Sequence, residues 1–145
     1  MEIAHVEKDE LPALAREYAI YYNAEGDTWT QEIALRRLTQ ALLTPDSVFL
    51  KAEIDGKTAG FLTGAYDWFF DGPILRISEM LVYAGMQGRG VGSALVRAAE
   101  AEARAFGARR AILELLTDAR HERFYARLGY RAREDLRERA HDFGE

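Results

Sequence analysis

The chain contains no cysteine among its 145 residues, which excludes disulfides, thiolate metal sites and a cysteine nucleophile. No apolar run approaches the roughly 18 residues that a membrane-spanning helix needs. The opening Met1-Glu2-Ile3-Ala4-His5 also lacks the basic and apolar regions of a secretory leader. A cytoplasmic protein with no membrane partner is the expectation. Nor is there a basic excess. With 19 Lys and Arg against 24 Asp and Glu, the formal charge of −5 leaves no surplus to neutralise phosphates along a nucleic acid, which argues against broad binding of that kind. What is present is 48% hydrophobic and 30% charged residues, proportions that suit a single domain over residues 1–145 with one core.

The turn and period signals predict a continuous series of elements without a linker. Ile3 to Val6 reads as a short strand. Asp9 is the expected cap of a helix whose apolar set Leu11, Leu14, Ala15, Tyr18, Tyr21 and Tyr22 follows the i, i+3, i+4, i+7 rule. Thr28 with Gln31 matches a capping box for a second helix, with Ile33, Ala34, Leu38, Ala41 and Leu42 as its buried stripe. Ser47 to Ile54 and Thr58 to Ala65 then read as strands joined by Asp55-Gly56, a strong short hairpin signal. Asp71-Gly72-Pro73 turns the chain into a further strand, Ile74 to Tyr83.

The segment Gln87-Gly88-Arg89-Gly90-Val91-Gly92 lies between that strand and a helix-like run with Val91, Ala94, Leu95, Ala98, Ala101 and Ala105 on one side and Arg97, Glu100 and Arg104 on the other. A glycine turn leading from a strand into a helix builds an anion site, because the first amides of a helix have no intrahelical acceptor and its dipole is positive there. A phosphate-bearing cofactor is the implied ligand. Gly107 ends the helix, and Arg110 to Thr117 reads as a strand covered on both faces, parallel to the one before because a helix connects them. Asp118 caps a short helix carrying His121, Phe124, Tyr125 and Leu128, closed by Gly129. On these residues alone a dinucleotide-binding turn remains open, although Ser93 stands where that turn has its helix-packing glycine and Glu114 comes later than the usual spacing. A purely structural glycine turn is the other alternative.

The stretch from Ile77 to Leu95 resembles the acetyl-CoA-binding motif of the GNAT acetyltransferase superfamily, Q/R-x-x-G-x-G/A after a strand. Arg123-Phe124-Tyr125-Ala126-Arg127-Leu128-Gly129-Tyr130 is similar to the F-Y-x-x-L-G-F/Y signature of the same superfamily. The resemblance implies an α/β fold of mixed α+β type: a central mixed sheet with two N-terminal helices, a βαβ cofactor unit, a short C-terminal helix and terminal strands in the last 15 residues. It implies acetyl-CoA as cosubstrate, no metal, and an N-acetyltransferase that acts on a primary amine, a small cationic metabolite or drug-like amine or a peptide amine, by direct attack in a ternary complex. A CoA-binding regulatory module of the same fold without turnover is the alternative.

Residue by residue, the resemblance gives the pyrophosphate to amides of Gln87, Gly88, Arg89, Gly90, Val91 and Gly92, with Ser93 at the edge. Backbone groups of Leu81, Val82 and Tyr83 go to the pantetheine arm, and the Val82 N–H to the carbonyl oxygen. Asp118, which the resemblance places with Tyr125 among the cofactor-binding residues, stands where the family commonly has asparagine, and His121, one helical turn before Tyr125, stands where it has a small residue. Tyr125 is the expected general acid for the leaving thiolate, since a phenol with an ordinary pKa of about 10 is protonated at neutral pH. Its position beside Phe124 and Leu128 also suits a core aromatic. Glu79 is the first candidate for the general base, through water, and Glu114 the second. His5 and His141 are expected in packing or surface roles. Glu25, Asp27 and Trp29, with Tyr66, Asp67, Trp68, Phe69, Phe70 and Asp71, combine acids with aromatics and suggest a cationic acceptor, a small amine or a peptide amine. The alternative is that Trp68, Phe69 and Phe70 pack a hairpin end or a homodimer contact.

Overall fold

The structure, a computed structural model, describes residues 1–115 and 118–144. They fall into two compact units, Met1–Glu114 and Leu115–Glu145. The first holds β1 (Glu2–His5), α1 (Leu11–Asn23), α2 (Gln31–Leu43), β2 (Ser47–Ile54), β3 (Lys57–Phe69), β4 (Gly72–Val82), α3 (Val91–Phe106) and β5 (Ala111–Leu113). The second holds α4 (Ala119–Arg127). The five strands form one mixed sheet in the order β1-β2-β3-β4-β5, antiparallel except for the β4–β5 pair, which is parallel across the α3 crossover as expected.

The two helical layers follow from the two faces of the sheet. Leu11, Leu14, Ala15 and Tyr18 of α1 and Ala34 and Leu38 of α2 close over Val6, Phe49, Phe61 and Leu81 in one buried cluster. Val48, Leu50 and Leu62 alternate with these sheet residues and so face the opposite side, where α3 crosses the strands. The β2–β3 hairpin forms at Asp55-Gly56 with φ of 52° and 77°, the paired left-handed residues of a type I′ turn.

Several local expectations are corrected. Asp9 does not cap α1: Lys8–Glu10 is a short 3₁₀ turn, in which Glu7 and Glu10 bond reciprocally to each other's backbone, and α1 starts after it. The cap of α2 is Thr30, whose hydroxyl accepts from the Ile33 N–H at 3.1 Å, not Thr28. The delay has a cause in Asn23. Its side chain donates to the Trp29 carbonyl at 2.9 Å and accepts from the Trp29 N–H at 2.6 Å, keeping the chain extended through that residue. Ile33 is consequently exposed.

α3 is rotated relative to its expected stripe. Val91, Leu95, Val96, Ala99 and Ala103 are buried, whereas Ala101 and Ala105 face solvent, because alanines alone do not set a helical phase and the larger Leu95 and Val96 do. Glu100 is carried to the buried side, with Arg97 Nη1 2.7 Å away. β3 continues four residues beyond its expected end, so Tyr66 to Phe69 belong to the strand and not to a loop. β5 is shorter than expected and only half-buried; part of the expected strand, Leu116 and Thr117, lies outside the described residues. Residues 131–144 form neither strand nor helix among the described residues. Their few large apolar side chains, Leu136 and Phe143, are exposed and give a strand nothing to bury.

The close approach of β3 to β4 requires glycine at Gly64. A methyl group there would lie 2.5 Å from the Arg76 carbonyl oxygen and 3.3 Å from the Ile77 Cα, both backbone atoms that cannot swing aside. Gly64→Ala is expected to lower stability by about 2 kcal/mol, the scale of an overpacked core, in urea unfolding. A midpoint equal to that of the unsubstituted protein would contradict the close approach.

Candidate active site

One extra residue in β4 organises the site. Gly64 pairs with Ile77, but Thr63 pairs with Glu79, so Ser78 has no partner of its own on β3 and sits in a β-bulge. The bulge changes which face each side chain takes. Leu75 and Ile77 are buried outside the α1–α2 cluster, whereas Leu81, at the same alternation, belongs to that cluster. Glu79 therefore turns toward α1 and α2.

There it meets two donors that sequence reading did not assign. The Tyr18 hydroxyl donates to Oε2, and Arg37 Nε donates to Oε1 at 3.3 Å. The Glu79 side chain is only 9% exposed and that of Arg37 is 47% exposed. A carboxylate so enclosed is costly unless paired and hydrogen-bonded, and each oxygen has its own donor. Burial first, then the bond to Glu79, pushes the Tyr18 phenol far above its ordinary pKa, so it is a committed donor at neutral pH. Partial burial works against the Arg37 charge. The Glu79 carboxylate outweighs that effect and holds the guanidinium above its ordinary value.

The Tyr18 ring is fixed by Trp29, edge-on at 4.8 Å, and by Tyr22, tilted at 4.7 Å. Thr63, directly opposite Glu79 on β3, is 1% exposed, and its hydroxyl has no partner among the described residues. Tyr18 occupies an apolar stripe position and so reads as core. Arg37 has no local mark at all. The available sequence signal was Glu79 itself, an acid in a strand that needs a counter-charge from elsewhere.

The bulge also sets the backbone edge. The Tyr83 N–H donates to the Ala59 carbonyl at 2.8 Å, and the Leu81 carbonyl lies against Gly60, so both residues direct their backbone polar groups toward β3. By alternation, Met80 and Val82 direct theirs the other way. On that side β5 pairs with Leu75, Arg76 and Ile77. Of the three residues expected to offer backbone groups, Leu81 and Tyr83 are engaged with β3, and Val82, like Met80, directs its groups away from it.

The glycine turn follows directly. Gly85, Gly88 and Gly90 have φ of 85°, 79° and 77°, and Gly90 occupies the N-cap of α3. A left-handed N-cap with no side chain leaves the N–H groups of Val91, Gly92 and Ser93 at the helix mouth, since the helix ladder opens with the bond from the Ala94 N–H to the Gly90 carbonyl. Gln87, Gly88, Arg89 and Gly90 are exposed around it. The 16-residue α3 carries no acid in its first turn to compete with a bound anion. The expected residues from Gln87 to Ser93 are thus gathered in one turn.

Within the second unit, the Asp118 side chain caps α4 by accepting from the His121 N–H at 2.9 Å, and its other oxygen lies 2.5 Å from His121 Nδ1. The His121 N–H and then its ring hold the Asp118 carboxyl below the ordinary carboxylate range. His121 is thereby oriented by Asp118. Tyr125 is buried, with Phe124 edge-on at 4.9 Å and Tyr130 edge-on at 5.7 Å, and Gly129 ends the turn at φ 97°.

The expected cationic surface divides in two. Trp29 joins the Glu79 cluster through Tyr18, with its Nε1 donating to Asp27 at 3.0 Å; Glu25 is exposed nearby in sequence. In the hairpin group the two acids are already paired. Asp67 is paired with Arg76 at 2.8 Å and Asp71 with Arg109, while Tyr66 stacks on Phe106 at 4.1 Å and Trp68 bonds Asp46 at 3.0 Å. Its carboxylates already have cations. Glu114 is exposed, so it carries no burial cost. His5 pairs with Glu102 at 2.9 Å on the surface.

A family model described as Acetyltransferase (GNAT) family matches residues 10–130. An uncharacterized N-acetyltransferase of Archaeoglobus fulgidus is 31% identical over 134 residues, covering 87% of this chain and 90% of that protein. A putative acetyl transferase from Pyrococcus furiosus superimposes with a TM-score of 0.74 at 26% identity, covering 96% of this chain and 98% of that one. A crystal structure of a probable acetyltransferase reaches a TM-score of 0.85 at 19% identity, covering 100% of this chain and 99% of the other. The mixed sheet, the glycine turn and the extent of these matches together establish that the chain belongs to the GNAT family of acetyltransferases.

Proposed function

We propose that this protein is an N-acetyltransferase that moves the acetyl group of acetyl-CoA to a primary amine by direct attack, with both substrates bound together. The observation that carries the reading is the bulge at Ser78, which puts an outward-facing backbone edge, Met80 and Val82, and an enclosed carboxylate, Glu79, on neighbouring residues of one strand. The glycine turn adds an anion cradle at the end of the same strand.

Acetyl-CoA supplies an activated acyl thioester when bound. The Val91, Gly92 and Ser93 amides hold its pyrophosphate, and the Met80 and Val82 edge receives the amide-bearing arm as a strand would be received. Glu79 accepts the proton that the acceptor ammonium releases, by way of water, leaving a neutral amine to attack the acetyl carbon. The C–N bond forms as the C–S bond breaks. The Val82 N–H meets the negative charge that develops on the carbonyl oxygen. Tyr125 donates its proton to the departing sulfur, the role that its motif implies, and the second proton, shed by the nitrogen as it becomes an amide, returns to the phenolate by way of solvent, leaving an N-acetyl amide and a free thiol. The acceptor meets Glu79 already matched by Arg37, so the pocket favours an amine that arrives with little net charge to place: a small amine or a peptide amine, not a polycation.

Thiol release from acetyl-CoA across a panel of monoamines, polyamines and peptide amines tests the assignment. Turnover with at least one amine is expected, with polyamines the poorest. No release with any amine despite tight CoA binding would establish a regulatory CoA-binding module instead. Tyr125→Phe is expected to lower kcat about 100-fold, the low end of general acid catalysis, and an unchanged kcat would remove Tyr125 as the acid. Gly90→Val, which forces a branched side chain onto a left-handed N-cap, is expected to raise KM for acetyl-CoA about tenfold. An unchanged KM would place the pyrophosphate elsewhere.

A further inference from the structure

We propose that Tyr18 and Arg37 are positioning residues of the acetyl transfer, acting together through Glu79. The inference rests on the reading of Glu79 as the proton acceptor. Its physical basis is the geometry around that side chain. Each carboxylate oxygen receives a single donor, Oε2 from the Tyr18 hydroxyl and Oε1 from Arg37 Nε, and the two donors come from different helices. A carboxylate held at one oxygen alone can still rotate about its terminal torsion, which is broad and nearly two-fold. Held at both, it has one orientation.

The donors are themselves held. Tyr18 is 2% exposed, in the buried cluster that joins α1 and α2 to the sheet, and its ring is bracketed by Tyr22 and Trp29. The Trp29 backbone is in turn tied to the Asn23 side chain by two hydrogen bonds. The loop between α1 and α2 is thereby linked to the carboxylate by a chain of packed rings. Arg37 closes the other side and supplies the positive charge that a largely enclosed carboxylate requires. Neither residue is placed against the reacting atoms; both act on where the acceptor oxygen of Glu79 stands.

A double-mutant cycle on kcat reads this directly, since residues that act through one another are not additive. Tyr18→Phe keeps the ring and removes only the hydroxyl. It is expected to lower kcat about tenfold while leaving KM for acetyl-CoA unchanged, and to lower it less than twofold further when Glu79→Gln is already present. A full tenfold loss in the Glu79→Gln background would overturn the proposal, because Tyr18 would then act through packing. So would an unchanged kcat in Tyr18→Phe. If Glu79→Gln alone leaves kcat intact, it is the proton-acceptor reading that fails, and the two failures are thereby distinguished. Should Tyr18→Phe not fold, as thermal unfolding would reveal, Arg37→Gln carries the same cycle at a more exposed side chain, with Arg37→Lys expected to restore part of the loss.

Discussion

The structure around the site depends on the single unpaired residue Ser78. A strand without it would keep residues 75, 77, 79 and 81 on one face, and Glu79 would point toward α3. With it, Leu75 and Ile77 stay on the α3 face while Glu79 and Leu81 cross to the face covered by α1 and α2. The same step reverses the backbone. Leu75 donates to Arg110 toward β5, and beyond the bulge it is Met80 and Val82 that direct their polar groups to that side. One inserted residue thus couples the direction of a carboxylate to the direction of a strand edge.

That coupling has an electrostatic cost, and the helices meet it. An acid directed into an apolar cluster of Leu11, Leu14, Leu38 and Phe61 would by itself weigh against folding. Tyr18 and Arg37 offset the penalty with one neutral and one charged hydrogen bond, while the outward part of Arg37 remains in water. Replacing the ion pair by apolar residues could satisfy the fold equally well. Its presence is therefore better explained by what an oriented carboxylate does than by what it adds to stability.

The legible parts of the sequence were those fixed by short-range chemistry. Asp55-Gly56 encodes its turn because two consecutive left-handed residues are easy only for such a pair. The glycine turn, the α4 cap at Asp118 and the stop at Gly129 are local in the same sense. The bulge was not legible, since nothing in Ile77-Ser78-Glu79 departs from an ordinary strand and the register is set by the partner chain segment, with Gly64 making room. Tyr18 and Arg37 lie 61 and 42 residues from Glu79, and only the packing of α1 on α2 brings them to it. The pairing of the hairpin acids was not legible for a related reason: Asp67 and Asp71 find their arginines at positions that composition alone does not reveal.

In the proposed reaction, donor and acceptor recognition are written in different parts of the chain. The backbone edge and the glycine turn use main-chain groups, which any side chains compatible with the fold present equally, so this half tolerates sequence change around its glycines. The Glu79 side of the strand is defined by side chains from α1, α2 and the loop joining them. Asn23 fixes the backbone of that loop, Asp27 engages the Trp29 indole, and Trp29 closes on Tyr18. Substitutions at these positions would reshape the acceptor side without touching the edge or the turn. On the reaction proposed above, the acceptor side is the one packed by the α1–α2 loop, and the hairpin lies apart from it: Asp67 is four residues along β3 from Thr63, the partner of Glu79, about 13 Å at the rise of a strand.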